Sequence, residues 1–316
     1  MRACFILVSL MMLAVVSRAQ SFQQWLTAFK PDAISQGIHS SFFDKTFRGM
    51  TLGRRQIHFD RTQPETRLTY LAYRNKRAGA YRTKLGQREY KKRRKLFHRI
   101  SEEYGVSPCY IVSIWGLETS YGRYMGGFSV VRSLATLAYE GRRAAFFKRE
   151  LIYALHILQA GHVSPKQFKG EWAGGSGHPQ FLPSSWYRYA VDYNQDSRRD
   201  IWTTYSDAFA SIANYLKLNG WRVGEPTRVA VVLPSHFDAT LLGLRVKKTV
   251  EAWRALGVRV ASGWPMPEQY LTASIVQLYG GPALMVFKNW RVIKTYNASN
   301  FYAGTVSYMA DNICRR

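Results

Sequence analysis

Ser107-Pro-Cys-Tyr-Ile-Val-Ser-Ile-Trp-Gly-Leu-Glu-Thr-Ser-Tyr-Gly122 is the stretch that decides how this 316-residue chain is read. Ser107 followed by Pro108 predicts a helix start, a hydroxyl cap ahead of a proline at the first helical position. Gly122 predicts its close. Between them, Ile111, Ile114, Trp115 and Glu118 fall at i, i+3, i+4 and i+7 and so share one helix face. That face is apolar except for Glu118. A carboxyl on an apolar stripe is expected to keep its proton toward neutral pH, because burial disfavours the charged form. General acid catalysis requires such a group. The same pattern also fits a glutamate that escapes to solvent at the helix end or is neutralised by Arg123, so by itself it leaves catalysis open.

Two further segments carry chemistry. Gly174-Gly-Ser-Gly177-His-Pro-Gln180-Phe-Leu-Pro183 predicts a tight turn entering a helix near Ser184. Its glycines let backbone approach a ligand closely, and Gln180 can both donate to and accept from a sugar hydroxyl. It lacks the Lys-Ser/Thr ending of a phosphate loop. Asp192-Tyr-Asn194-Gln-Asp196-Ser-Arg198-Arg-Asp200 alternates oxygen ligands like a calcium loop. It departs from that pattern at Ser197, where glycine is usual, and at Thr203, where glutamate is usual. Asp207 follows as a further carboxylate. A polar turn without metal is the competing reading.

Outward from this centre, residues 20–104 read as helical and residues 105–221 as helices punctuated by Gly-rich turns. Residues 222–290 change character. Arg228–Leu233, Leu271–Val276 and Ala283–Phe287 are short β-type runs bounded by Gly and Pro, with a short helix predicted over Val250–Leu256. Residues 291–316 return to helix. The class is α+β, mainly α: a helical body with a small β-containing domain.

The first residues have another purpose. Met1-Arg2, the apolar run over residues 4–16, and Ser17-Arg18-Ala19 read as a secretory leader over residues 1–19, cleaved near Ala19. An exported, periplasmic protein is expected. The full chain has 45 Lys+Arg against 20 Asp+Glu, a formal charge of +25, and losing Arg2 and Arg18 leaves about +23. Such a surface seeks polyanions. With export, and without a recognisable nucleic-acid motif, specific nucleic-acid binding is excluded in favour of peripheral contact with anionic wall or membrane surfaces. The densest basic run, Lys91-Lys92-Arg93-Arg94-Lys95, reads first as a solvated helix face. Two cysteines remain, Cys109 and Cys314. An oxidising compartment permits a disulfide, but sequence leaves open whether they are close enough in space.

Together these segments resemble a family. Trp115–Gly126 with Ser133-Leu-Ala-Thr-Leu137, Arg142-Arg143, Trp172-Ala-Gly, the Gly-x-x-Gln-Phe-x-Pro turn and Ser184–Asp192 match in order. Ala213-Asn-Tyr-Leu216, Asn219-Gly-Trp221 and Tyr296–Ala303 complete the match. Over about residues 65–305 the chain resembles the lytic murein transglycosylase B family of exported bacterial enzymes. The resemblance implies a lysozyme-like core with a helical domain and a small β domain. It implies cleavage of peptidoglycan glycan strands between N-acetylmuramic acid and N-acetylglucosamine, with 1,6-anhydro products and one catalytic glutamate, Glu118. Gln180, Tyr215, Asn297 and Tyr302 match substrate-binding positions, and Tyr70 matches less closely. Asp192, Asn194, Asp196 and Asp207 match side-chain ligands of a structural Ca2+, with Arg198 giving a carbonyl. No organic cofactor and no partner subunit is implied, so a monomer is expected.

The chain departs from the family pattern in having Gly175-Ser176 for Ala-Met, and Glu171 for a serine two residues before the Ala-Gly pair. A second carboxyl near Glu118 would repel its charge and could turn the site toward water. A lysozyme-type muramidase and a non-catalytic wall-binding protein are the remaining alternatives.

Overall fold

The computed structural model describes residues 20–62 and 68–314, so the leader expected at residues 1–19 lies outside the described residues. The chain divides into two compact units, residues 1–51 and 52–316. In the first, α1 (Phe22–Ser35) opens with a capping box in which Ser21 and Gln24 satisfy each other's backbone amides. Trp25 stacks on Phe22 and Phe29, and Phe29 meets Phe43 of α2 (Ser40–Phe47).

The second unit begins with α3 (Arg54–Arg61), α4 (Tyr70–Ala78), α5 (Ala80–Lys92) and α6 (Arg94–Tyr104), which lead to α7 (Pro108–Thr119). Then come β1 (Phe128–Ser129), α8 (Val130–Glu140), α9 (Ala144–Gln159), β2 (Lys169–Gly170), α10 (Pro183–Tyr189) and α11 (Tyr205–Leu218). The β-containing part holds β3 (Arg228–Val232), β4 (Lys248–Thr249), α12 (Val250–Ala255), β5 (Arg259–Val260), β6 (Thr272–Gln277) and β7 (Ala283–Val286). Its sheet has the order β4-β6-β7-β3-β5 with every pairing antiparallel. Val229, Ile275, Met285 and Trp253 form its core, and the Trp253 indole donates to the Ala273 carbonyl. Finally, α13 (Lys288–Tyr296) and α14 (Asn300–Ile313) run back to the helical body. The three predicted strands and the short helix are present, shifted by a residue or so at their ends. The two-residue strands β1, β2, β4 and β5 were not expected from sequence.

The helix α7 packs against α5, α6, α11 and α14. It is buried on nearly every side, since Val112, Ser113, Gly116, Leu117 and Thr119 are covered as well as the predicted stripe. A helix enclosed this way needs no polar face. Its predicted start stands, with Ser107 as the N-cap and Pro108 as the first helical residue, while its predicted close needs correction. Ser107 is the N-cap residue but its hydroxyl makes no cap bond; its carbonyl takes the Tyr110 amide instead. At the other end the helix stops at Thr119. Ser120, Tyr121 and Gly122 all adopt left-handed backbone. The Thr119 hydroxyl accepts from the Gly122 amide, and the Tyr121 phenol donates to the Arg82 carbonyl. Tyr121 fills a slot that exists because Gly86 and Gly116 lack side chains: a Cβ at either would collide with its ring or phenol.

Candidate active site

Glu118 sits on the last turn of α7, one residue before the helix ends. It is partly exposed while the residues on both sides of it are buried. The Tyr302 hydroxyl, from α14, donates to Glu118 Oε1 at 2.5 Å. Burial pushes the carboxyl up to about 7; the Tyr302 hydrogen bond and the Arg77 charge oppose this, and the Glu171 charge adds to it. The basic group near the acid is therefore Arg77 of α4, which also donates to the Leu117 carbonyl at 3.3 Å. Arg123, proposed from sequence as its neutraliser, instead donates to the Tyr81 hydroxyl at 2.8 Å.

The Gly-rich turn is joined to α7 through His178. Trp115 Nε1 donates to His178 Nδ1 at 3.0 Å. Burial and the Arg93 charge push this histidine down to about 4, so at neutral pH its Nδ1 keeps the lone pair that the indole needs. Gly122 carries no Cβ where the imidazole lies. Gln180 has a left-handed backbone (φ 51°) and donates through Nε2 to the Met125 and Gly177 carbonyls. Its Oε1 is buried without a partner among the described residues, an acceptor available to a ligand hydroxyl. The Gly175-Ser176 departure has a local reason: buried Ser176 accepts the indole N–H of Trp202 at 3.3 Å.

Glu171 follows β2 and is half-buried. Its backbone is tied to the turn through Gly174 and Gly175. Burial raises its carboxyl while Arg77 lowers it, so Arg77 lies within electrostatic reach of both acids. Tyr215 of α11 is buried and donates to the Thr295 carbonyl at 2.6 Å. From it a row of rings leads to the acid: Tyr189 at 4.4 Å, Tyr296 at 4.7 Å, and Tyr302 stacked on Tyr296 at 6.4 Å. Tyr215 and Tyr189, with Tyr153 and Tyr187, also line an open cavity of about 660 Å3. Asn297 is exposed at the end of α13, where its Oδ1 accepts from the Ser299 amide. Tyr70 is buried against Phe301 and the Cα of Gly304. On the same helix it is Tyr73 that is electrostatically coupled to Glu118 and Arg77. Tyr73, Arg77 and Tyr296 were missed from sequence; Tyr73 and Arg77 lie three and seven residues beyond Tyr70, a helical spacing that points to them once Tyr70 is placed.

The acidic loop joins α10 to α11. Carboxylate oxygens of Asp192, Asp196 and Asp207 lie within 4.8 Å of one another. Asn194 bonds to Asp196, and the Arg198 amide donates to Asp196 Oδ1 at 2.9 Å. Asp207 is fully buried, and burial raises its carboxyl. Cys109 and Cys314 form a disulfide between the start of α7 and the end of α14, the helices that carry Glu118 and Tyr302.

Known proteins resemble this chain in sequence and fold. Membrane-bound lytic murein transglycosylase B of Escherichia coli (strain K12) is 35% identical over 217 residues, 66% of this chain and 57% of that protein. The match thus spans little more than half the length of that relative. SltB3 from Pseudomonas aeruginosa, solved in complex with NAG-NAM-pentapeptide, superposes with a TM-score of 0.90 at 40% identity, over 93% of this chain and 80% of its own. The Escherichia coli lytic transglycosylase Slt35 in complex with calcium superposes with a TM-score of 0.79 at 26% identity, over 92% of each chain. The model of the transglycosylase SLT domain matches residues 21–311, and with these neighbours and this lysozyme-like core the chain belongs to that family.

Proposed function

We propose that the chain is a peptidoglycan lytic transglycosylase in which Glu118 is the single acid and base. The observation that carries this reading is the Glu118 carboxyl, raised to about 7 by burial and held by the Tyr302 hydroxyl. In the first step Glu118 gives its proton to the glycosidic oxygen as the bond between muramyl C1 and that oxygen breaks. The sugar's own acetamido oxygen stabilises the cation, one of the known exceptions to the two-carboxylate rule. In the second step the muramyl O6 bonds to C1 and its proton passes to the Glu118 carboxylate. A 1,6-anhydro ring closes, no water is consumed and the acid is restored. Tyr302 orients the carboxyl throughout and stabilises its ionised form between the steps. Gln180 Oε1 and the row from Tyr215 to Tyr302 supply a hydroxyl acceptor and ring faces for the sugars. Asn297, at the rim, and Tyr70, which supports α14, take outer roles.

The acidic loop fits a hard dication: three clustered carboxylates, the Asn194 amide oxygen and the Arg198 carbonyl are oxygen donors of the kind Ca2+ takes. Bound there it would fix the start of α11, which carries Tyr215. The expected leader and basic surface fit work in the periplasm; no helix among the described residues is long and apolar enough to cross a membrane. A muramidase is the second reading, favoured by Glu171 beside the acid. The test is mass spectrometry of fragments released from purified peptidoglycan, beside Glu118→Gln. Anhydro-muropeptides from the unmutated protein alone are expected. Reducing ends would establish hydrolysis, and no product from either would overturn catalysis.

A further inference from the structure

A strongly basic pocket lies on the flank of the cleft. A cavity of about 580 Å3 is enclosed by the start of α3, the segment from Tyr124 to Ser129, and Arg132. Arg54, Arg55 and Arg132 line it, and among the described residues no carboxylate does. Its volume is that of a small-ligand site. Elsewhere around α3 the arginines are paired: Arg142 and Arg143 hold Asp60, and Arg61 holds Glu140. Arg54 and Arg55 are exposed and have no acidic partner among the described residues. Arg55 is nonetheless held in place, its guanidinium 5.4 Å from the centre of the Phe128 ring and 6.0 Å from that of Phe59. Arg132 is anchored by its bond to the Leu52 carbonyl. The N-terminus of α3 has no side-chain cap, so its partial positive charge adds to theirs.

The pocket adjoins the acid's surroundings. Phe128 pairs with Gly170 across β1 and β2, and Glu171 is the next residue. The Met125 carbonyl, two residues before Gly127 on the pocket wall, accepts from Gln180. A glycan in the cleft therefore brings whatever hangs from its muramyl residues past these arginines. What hangs there is a short peptide with free carboxylates, and guanidinium groups are suited to bidentate carboxylate binding.

We propose that this pocket binds the carboxylates of the peptide borne by the glycan strand; this rests on the reading that the glycan occupies the Glu118 cleft. The test compares glycan oligomers carrying their peptides with the same oligomers stripped of them, using the full mature chain. With Arg54→Gln/Arg55→Gln, KM for the peptide-bearing substrate should rise about ten-fold or more, with kcat kept and the stripped substrate unaffected. Arg54→Gln alone leaves the Arg55–Phe128 stack intact and should give a smaller rise of the same kind. Equal changes on both substrates, or none on either, overturn the proposal. If the unmutated chain cleaves neither substrate, it is the cleavage reading that fails. The pocket is then tested by calorimetric titration of the free pentapeptide: binding weakened ten-fold in the double variant supports it, and equal or no binding overturns it.

Discussion

Glu118→Gln should stabilise the protein, and only above a defined pH. The carboxyl is raised from 4.5 to about 7, chiefly by burial. Each tenfold change in proton affinity corresponds to about 1.4 kcal/mol, so the ionised form costs the fold about 3 kcal/mol. A group whose folded pKa lies above its unfolded one contributes its full stability below the unfolded value. It loses that contribution as pH rises to the folded value, here between about 4.5 and about 7. Glutamine mimics the protonated acid, can still accept from Tyr302, and never ionises. The variant should therefore match the unmutated protein at pH 4.5, gain progressively above it, and level off beyond pH 7 with an advantage of about 3 kcal/mol. At about 2 °C per kcal/mol for a chain of this size, the melting temperature difference should grow from near zero to about 6 °C. Thermal melts in a pH series read this without any substrate. A difference that stays constant across the series would show that the carboxyl is not desolvated, and the argument for its role as an acid would fall with it.

Three further outcomes follow from the surrounding geometry. Asp207→Asn removes the buried carboxylate of the acidic loop, and should abolish a calcium-induced rise in melting temperature; calcium at 100 times its Kd would otherwise add about 2.7 kcal/mol, and an unchanged calcium response would refute the ligand set. Cys109→Ser/Cys314→Ser opens a bridge between residues 205 apart in sequence, for which the chain-entropy account gives a loss of up to about 5 kcal/mol; the melting temperature should fall in the variant and in reductant-treated protein alike. Glu171→Ser removes the negative charge that raises Glu118, so the alkaline limb of the pH–rate profile should move to lower pH, and any reducing-end product should diminish; an unmoved profile would place the Glu171 charge outside the mechanism.

The residues that could be read from sequence were those whose partners lie close in the chain. The α7 stripe, the β-type runs over 228–233, 271–276 and 283–287, and the short helix at Val250 each depend on a local period, and the α+β class followed from them. The start of α7 at Ser107 and Pro108 followed too, but its close did not, because Tyr121, seated against Gly86 and Gly116, draws the chain out of the helix at Thr119. The acid's neighbours were harder still. Tyr302 lies 184 residues from Glu118 and entered only through resemblance to a family. Arg77 and Tyr73 reach the site because α4 passes it, and only their helical spacing from Tyr70 points to them in the sequence. The pairing of Cys109 with Cys314, open from sequence, depends on α7 and α14 lying side by side.

That side-by-side packing explains why one carboxyl can be both isolated and positioned. Burial alone would raise Glu118 but would leave it free to turn toward water at the helix end. Four ties prevent the frame from yielding. Trp115 fixes the helix to the Gly-rich turn through a histidine kept neutral by its own burial. Arg77 holds the Leu117 carbonyl beside the acid. The disulfide pins the far end of α7 to α14, and Tyr302 returns from α14 to the carboxyl itself. Three of the four act on backbone or neighbouring side chains; Tyr302 bonds the carboxyl itself and, with the Arg77 charge, lowers it against the burial and the Glu171 charge. The carboxyl near 7 is thus a balance of burial and the Glu171 charge against the Tyr302 hydroxyl and the Arg77 charge. On the proposed reading this acid gives up a proton in one step and recovers one in the next, which needs neither form strongly favoured; burial and the Glu171 charge push it one way, the Tyr302 hydroxyl and the Arg77 charge the other.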